Sequence, residues 1–360
     1  MKFVVDAAAP FTELAWAQAI ADVPLNSLAR AYTMVRYRND RLTKERAVWP
    51  GRTYRLVDIL RDGGICVDQA YFATEFGKAR GVPTLLFHGA GNDGRHAWFG
   101  FLDGNNQWEL DAGRYAEQKF VTGFARDPQT WRELSDHELQ FMAERFRGLP
   151  SYQSSRLHAE FAADFLAAGD VAAATAAARK AVNFERRNQP AWDTLIAAVQ
   201  KSGPDLKPAE NVMREAAQAF QRYPDLEAVY VNRVAASLRA RGQTSAAEVE
   251  ERRIARKNQG DRRDLSVSEA SVILQRAIET QPLPDQIRAY NSVVDTYGRG
   301  AGIEFFDVIV VGFAEHLAEL HQPAEAMRAI ERARHTLNVG ANTQLAGEFD
   351  HLVKAVKAAK

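Results

Sequence analysis

The chain has 360 residues, of which 46% are hydrophobic and 10% aromatic. This is enough apolar material for one large or two ordinary domains with buried cores, which excludes a disordered tail and a small protein held together by disulfides. Lysine plus arginine and aspartate plus glutamate each total 46, and the two signs also balance within residues 1–150. Because no region is strongly basic, nucleic acid is not an expected partner.

Cys66 is the only cysteine. An intramolecular disulfide is therefore impossible, and a zinc site made of several thiolates cannot form within one chain. The histidines show no metal-ligand spacing either, so no metal site is predicted. Cys66 is then either a buried apolar filler or a nucleophile.

No stretch of the sequence reaches the roughly 18 apolar residues that a membrane span requires. Residues 1–20 carry Asp6, Pro10 and Glu13 where a signal peptide needs an apolar core. The expectation is a chain without a membrane span that is cytoplasmic by default. The compartment stays open, because an export signal that had been removed would leave no trace.

Two helices are predicted in the first 150 residues. Asn26 and Ser27 can cap a helix with one apolar face, made of Leu28, Ala31, Tyr32 and Val35. From Val67 to Ala79 the pattern fits a mostly buried helix, which Gly81 and Pro83 end.

The composition changes near residue 150. Most of the glycines and tryptophans and several short β-like runs come before this point, whereas alanine-, glutamate- and arginine-rich stretches with helical periodicity follow it. Residues 147–155 are rich in turn formers, which break helices. The sequence thus predicts a mixed first domain, residues 1–150, and an all-helical second domain, residues 151–360.

The second domain contains a repeat, which appears when Gly169 is aligned with Gly203, 34 residues later. The matching pairs are His158 with Trp192, Phe161 with Leu195, Ala162 with Ile196, and Phe165 with Val199. A further copy near the C-terminus has Phe313, Ala314, Leu317, Ala326 and Ala333 in the same register. Over about residues 155–360 the pattern resembles tetratricopeptide repeats, with interruptions at Pro204–Pro208 and Gln281–Asp285. The resemblance implies a helical solenoid whose concave surface binds a protein partner.

Cys66 follows Gly63 and Gly64 and stands at the first turn of the helix predicted from Val67. Unpaired amides and the positive end of the helix dipole favour a thiolate over a thiol at such a place. A buried filler needs no pair of glycines before it, so the pattern favours a nucleophile.

A cysteine nucleophile needs a base, and the base needs an orienting group. Two strands are predicted downstream, at Arg95–Leu102 and Gln107–Asp111. A two-residue turn between them would place His96 opposite Asp111, and a four-residue loop would pair Asp111 with Trp98, one diagonal away. An unbulged three-residue loop would put the histidine and the aspartate on opposite faces. Two of these three registers bring the base and the carboxylate together.

An earlier predicted strand, Thr84–His88, ends at another histidine. His88 is expected to fill the core or a strand end, and it is the fallback base if His96 faces outward. Residues 89–94 match the dinucleotide-binding pattern by letter, but they lead into a strand rather than a helix. We therefore expect a hairpin loop beside the site rather than a phosphate cradle.

Four segments together resemble the transglutaminase-like core, a branch of the papain-like cysteine fold: Gly64–Ala70, Ala79–Pro83, His96–Trp98 and Trp108–Asp111. The similarity covers about residues 50–115. It implies an α+β fold in which a helix packs on an antiparallel sheet, followed by the all-α, tetratricopeptide-like domain.

The resemblance further implies that Cys66 is the nucleophile, His96 the general base and Asp111 the residue that orients it. The implied chemistry is acyl transfer on amide bonds of a protein or peptide substrate, which requires no metal or organic cofactor. The Cys66 amide and one side chain would bind the oxyanion. Position alone suggests Trp49 and Tyr54 for this donor and Trp98 for the substrate wall, while packing in the core is the expected role of each. Where the family often reads Asp-Pro-Thr, this chain reads Asp-Ala-Gly-Arg.

The alternative is a protein-interaction scaffold in which the transglutaminase-like core is structural and the helical repeats carry the function. The complete set of Cys66, His96 and Asp111 favours the enzyme. Proteolysis, deamidation and transamidation use the same three residues. The sequence therefore leaves open the reaction, the substrate, the partner of the repeats and the oligomeric state.

Overall fold

The computed structural model describes residues 7–43, 48–92, 94–114, 122–127, 130–341 and 343–358. The chain divides into two compact units. The first combines the residues up to Met142 with those from Pro282 onward, and the second is Ala143–Gln281. This division differs from the predicted boundary after residue 150, because it groups the C-terminal helices with the N-terminal part. Whether the predicted halves are separate domains stays a prediction.

The N-terminal part of the first unit is mixed α+β, which confirms the predicted class. Its helices are α1 (Phe11–Ala19), α2 (Ala31–Met34), α3 (Asn39–Thr43), α4 (Leu56–Asp62), α5 (Cys66–Lys78) and α6 (Asp136–Met142). Its strands are β1 (Thr84–Ala90), β2 (Arg95–Leu102), β3 (Trp108–Ala112), β4 (Phe124–Arg126) and β5 (Glu133–Ser135). The strands form one antiparallel sheet in the order β3, β2, β1, β4, β5.

Helix α5 packs against β1 and β2, and the core lies between them. The helix contributes Phe72 and Phe76, whose ring centroids are 5.8 Å apart, and the sheet contributes Phe87 and Trp98, 6.2 Å apart. All four side chains are fully buried. A helix packed on an antiparallel sheet, which the family resemblance implies, is therefore present in this part of the chain.

The helix predicted from Asn26 and Ser27 differs in its start. A 3-10 turn, Leu25–Arg30, follows Pro24 and leads into α2, so neither residue caps a helix, and the Ser27 hydroxyl instead donates to the Asn26 side chain at 3.2 Å. The predicted apolar face is nevertheless correct. All of its members are buried: Leu28, Ala31, Tyr32 and Val35.

The second unit is helical from Pro150 onward. Its helices are α7 (Pro150–Ala167), α8 (Val171–Phe184), α9 (Gln189–Lys201), α10 (Lys207–Ala219), α11 (Pro224–Ala240), α12 (Thr244–Asn258) and α13 (Arg263–Thr280). The prediction that residues 147–155 break the helical structure was wrong from Pro150 onward, because α7 begins there. Proline is tolerated at the first position of a helix, since its missing N–H has no partner there in any case. The aligned repeat positions also differ in packing, since Phe161 is 46% exposed whereas Leu195 is fully buried.

The C-terminal part belongs to the first unit. Its helices are α14 (Leu283–Tyr297), α15 (Gly302–Phe305), α16 (Gly312–Glu319), α17 (Pro323–Thr336) and α18 (Gln344–Ala358). A π-helical stretch, Phe306–Val311, connects α15 to α16. Across the described residues, no helix combines the length and the hydropathy needed to cross a bilayer.

Candidate active site

Cys66 is the first residue of α5, as the sequence predicts, and its side chain is half-buried. The glycines before it serve the turn that joins α4 to α5. Gly63 has a φ of 76°, and a Cβ atom there would lie 2.5 Å from the carbonyl oxygen of Arg36. Gly64 donates a hydrogen bond to that oxygen at 2.9 Å. The close approach of these backbones explains the glycines without a nucleophile.

Asp68 caps the start of α5. Its carboxylate accepts a hydrogen bond from the Ile65 N–H at 2.8 Å and another from the Tyr54 hydroxyl at 2.8 Å. Arg41 forms a salt bridge with the same carboxylate, and the Asp68 side chain is only 2% exposed. Asp68 therefore stabilises the turn that presents Cys66, because its carboxylate lies at the positive end of the helix dipole.

The sulfur of Cys66 lies against β2. The backbone N–H groups of Ala97 and Val67 bond to it and act to lower the pKa of the thiol, but burial has the larger effect and raises that pKa, and the charge of Asp68 raises it further. Burial thus acts against the thiolate that is expected from the sequence at the helix N-terminus. The helix N-terminus acts in the expected direction, but it is outweighed by desolvation, which disfavours the charged form.

His96 precedes Ala97 on β2 and is only 4% exposed. Its Nε2 lies 2.7 Å from the carbonyl oxygen of Gly113, and its ring stacks on Trp98 with centroids 5.8 Å apart. Because a carbonyl oxygen can only accept, Nε2 must carry the proton in this contact. Nδ1 is then the basic nitrogen. Burial lowers the pKa of the imidazole, the Gly113 bond acts to raise it, and Arg114 lowers it.

Asp111 does not lie beside His96. Strand β3 pairs Trp108 with Leu102 and Ala112 with Phe99, and a bulge lies between Phe99 and Phe101. The predicted registers were wrong, because the connection runs over residues 103–107 and the bulge shifts β3. In the described part of the chain, the Asp111 carboxylate bonds to Arg114 at 3.0 Å and makes no hydrogen bond to His96.

Arg114, whose charge acts on His96, and its partner Asp136 are two residues that the sequence did not single out. The Arg114 guanidinium lies 4.9 Å from the Trp98 ring centroid and bonds to Asp136 at 3.1 Å. Asp136 is buried, and burial raises its pKa. This chain reads Asp-Ala-Gly-Arg where the family often reads Asp-Pro-Thr, and this difference is the one sequence feature that points to Arg114. Nothing in the sequence connects Asp136 with the site, because α6 is distant along the chain.

The three tryptophan and tyrosine candidates already donate to other acceptors. The Trp49 indole donates to the Thr53 carbonyl at 2.8 Å, and the Trp98 indole donates to the Leu110 carbonyl at 2.8 Å. Tyr54 donates to Asp68, as described above. Trp98 is also fully buried, so it faces the core. The donors that bond to the Cys66 sulfur are backbone amides. One of them is the amide of Ala97, which the sequence did not suggest.

His88 is paired with Ala97 in the sheet and is exposed. Because His96 is paired with Gly89, the two histidines lie on opposite faces. The glycine-rich segment between β1 and β2 is a hairpin connection, as predicted, closed by a 2.8 Å bond from the Gly91 N–H to the Gly94 carbonyl. His88 therefore cannot replace His96 without a change of face.

No family model and no curated protein matches this sequence. Within the described residues, histidine, cysteine, aspartate and glutamate form no group of three or more that could hold a metal ion. The geometry of the site is therefore limited to three contacts: the Cys66 sulfur with the Ala97 N–H of β2, the neighbouring His96 ring with the Gly113 carbonyl, and the Asp111 carboxylate with Arg114.

Proposed function

We propose that the chain is a transglutaminase-like cysteine enzyme that transfers acyl groups from amide bonds, with Cys66 as nucleophile and His96 as general base. The observation that carries the proposal is the contact of the Cys66 sulfur with the Ala97 N–H, directly after a buried histidine whose Nε2 is held by Gly113. A nucleophile at a helix N-terminus beside an oriented base is the arrangement that thiol acyl transfer needs.

In the proposed reaction both partners start neutral. Nδ1 of His96 accepts the thiol proton as the sulfur of Cys66 attacks the carbonyl carbon, and backbone amides at the start of α5 stabilise the oxyanion. The imidazolium then protonates the leaving ammonia or amine, and a thioester forms. Water or a second amine, deprotonated by His96, attacks the thioester and releases the acyl group, and the proton returns to the thiol.

Gly113 takes the orienting role that the resemblance assigns to Asp111. A carbonyl oxygen fixes the Nε2-protonated tautomer, as a carboxylate would, but it carries no full negative charge to stabilise the imidazolium. We expect a slower proton transfer than in a carboxylate-supported triad. The tautomer and the ring position remain suited to general-base catalysis.

A protein-interaction scaffold is the second candidate, and three observations favour it. Burial raises the pKa of the Cys66 thiol, and Asp111 is occupied by Arg114. The second unit also contains a cavity of about 490 Å³ between α9, α10 and α11, which is lined by apolar side chains, by Gln200 and Ser237, and by the ion pair of Asp193 and Arg233. Such a cavity can accept a side chain of a protein partner.

The deciding experiment is incubation of the full chain with glutamine-containing peptides, followed by mass spectrometry of the intact protein. The enzyme predicts an adduct on Cys66 equal to the peptide minus ammonia, absent from Cys66→Ala and formed at least about 100-fold more slowly in His96→Gln. Iodoacetamide modification of the thiol, measured in parallel, reports whether Cys66 is accessible. A chain that is never acylated and is alkylated only after unfolding contradicts the enzyme and supports the scaffold.

A further inference from the structure

The hairpin that leads into His96 is contacted by the C-terminal part of the same unit. The Ile303 N–H donates to the Gly91 carbonyl oxygen at 3.3 Å. Gly302 has a φ of 76°, and a Cβ atom on it would lie 2.5 Å from the same oxygen. This close backbone approach depends on a glycine at that position.

Arg95, the first residue of β2, forms ion pairs with two C-terminal carboxylates. Its Nε and Nη2 donate to Asp307 at 3.0 and 2.5 Å, and its Nη1 donates to Glu348 at 2.7 Å. The Arg95 guanidinium thus binds one carboxylate through two nitrogens and a second carboxylate through the third. Such geometry fixes the orientation of the guanidinium in addition to attracting it. The start of β2 is therefore held in position by contacts of its side chain.

The two carboxylates are themselves well supported. Asp307 follows Phe306 and Glu348 precedes Phe349, and the centroids of these two rings lie 4.6 Å apart. Asp307 is also part of the π-helical stretch Phe306–Val311. Such turns are rare and occur often at functional sites, because they redirect side chains that a regular helix would place elsewhere.

We propose that Arg95 is a positioning residue for His96, and that the C-terminal helices hold the strand that carries the base. This inference rests on the proposed function of Cys66 and His96. Successive residues of a strand point to opposite faces, so Arg95 acts through the backbone of β2 rather than by contact with substrate. The Ala97 amide, which bonds to the Cys66 sulfur, lies on the same strand. A shift of β2 therefore moves the base and the environment of the nucleophile together.

The test compares the full wild-type chain with Arg95→Ala by NMR of the imidazole nitrogens across pH, with His96→Gln to identify the signals. Wild type is expected to show the Nε2-protonated tautomer and a His96 pKa below the ordinary value. In Arg95→Ala we expect mixed tautomers and a pKa closer to that value. Acylation of Cys66 by the glutamine peptides is expected to slow about 10-fold or more, because small displacements of a base are costly.

Arg332→Ala is the matched control, since its side chain is 43% exposed against 44% for Arg95 and its ion pair with Asp295 joins two C-terminal helices. The double variant Asp307→Asn with Glu348→Gln removes both negative charges that orient Arg95 and serves if Arg95→Ala does not fold. An unchanged tautomer and pKa of His96 in these variants overturns the proposal. A wild type that is never acylated overturns the proposed function instead, while the NMR comparison still decides whether Arg95 positions His96.

Discussion

The imidazole of His96 is held by the backbone of Gly113, with Nε2 and the carbonyl oxygen 2.7 Å apart. A main-chain acceptor cannot be removed by changing a side chain and does not titrate. The tautomer of His96 is therefore set by the course of the backbone after β3. The carboxylate of Asp111 points instead to solvent and to Arg114, with its side chain 70% exposed.

Replacement of Asp111 by asparagine is expected to leave the site intact. Because its ion pair with Arg114 is largely exposed, the free energy of unfolding should fall by no more than about 0.5 kcal/mol, and acylation of Cys66 should change less than about 3-fold. Asp136→Asn, which changes the buried carboxylate of the same arginine, is the matched control: because burial raises the pKa of Asp136, the folded state disfavours its charge, and loss of that charge should not destabilise the chain. A loss of acylation in Asp111→Asn as large as in His96→Gln would show that the carboxylate reaches His96 in solution.

Asp68→Asn should destabilise the protein by about 3 kcal/mol, because it weakens the cap of α5 and removes the carboxylate partner of the buried Arg41. Urea unfolding measures this loss. Asp40→Asn changes a carboxylate that pairs with Arg38 at the surface, so its effect should stay within about 0.5 kcal/mol. Equal losses in the two variants would argue against the buried network at the start of α5.

The lowered pKa of His96 predicts a pH-dependent contribution to stability. The folded state favours the neutral ring, so this contribution is present above the ordinary pKa of about 6.5 and is lost as the pH falls through the lower folded value. The urea midpoint of wild type should therefore fall more between pH 7.5 and pH 5 than that of His96→Gln. The exposed His335, changed to glutamine, is the control and should follow wild type. Parallel curves for wild type and His96→Gln would mean that the ring is not desolvated.

Glu269 on α13 predicts the opposite pH dependence. Burial and the charge of Glu251 raise its pKa to about 7, and among the described residues its Oε1 has no hydrogen-bond partner. The stability that a raised pKa contributes is present below the unfolded value and is lost as the pH rises through about 7. Glu269→Gln, which resembles the protonated form, should stabilise the chain at pH 8 by about 3 kcal/mol and have little effect near pH 4.

Glu251 on α12 is the matched control for Glu269. Burial acts to raise its pKa, but hydrogen bonds from Arg239 and Arg276 outweigh burial and lower it. Glu251→Gln should therefore destabilise the chain at pH 8, because it removes the carboxylate that these arginines share. If both glutamine variants changed stability in the same direction at pH 8, the two buried carboxylates would not differ in charge as we expect.

Local pattern determined most of the elements around the site. The helix predicted over Val67–Ala79 begins and ends within one residue of α5, and the strand Arg95–Leu102 matches β2. The pattern of apolar residues was enough to predict these segments, because each of them buries one face or nearly all of its side chains. The positions of apolar residues in a sequence indicate which side chains are buried. Cys66 at the start of a helix followed from the same pattern.

The partners of Cys66 and His96 were decided only by the tertiary structure. The acceptor of Nε2 depends on loop length and on a bulge, neither of which leaves a periodic signal in the sequence. The direction of the Cys66 pKa shift depends on how much of the fold covers the sulfur, whereas the sequence shows only the helix end beside it. The contacts of Arg95 with Asp307 and Glu348 join residues more than two hundred positions apart, and such pairs follow from the packing of whole elements rather than from any local pattern.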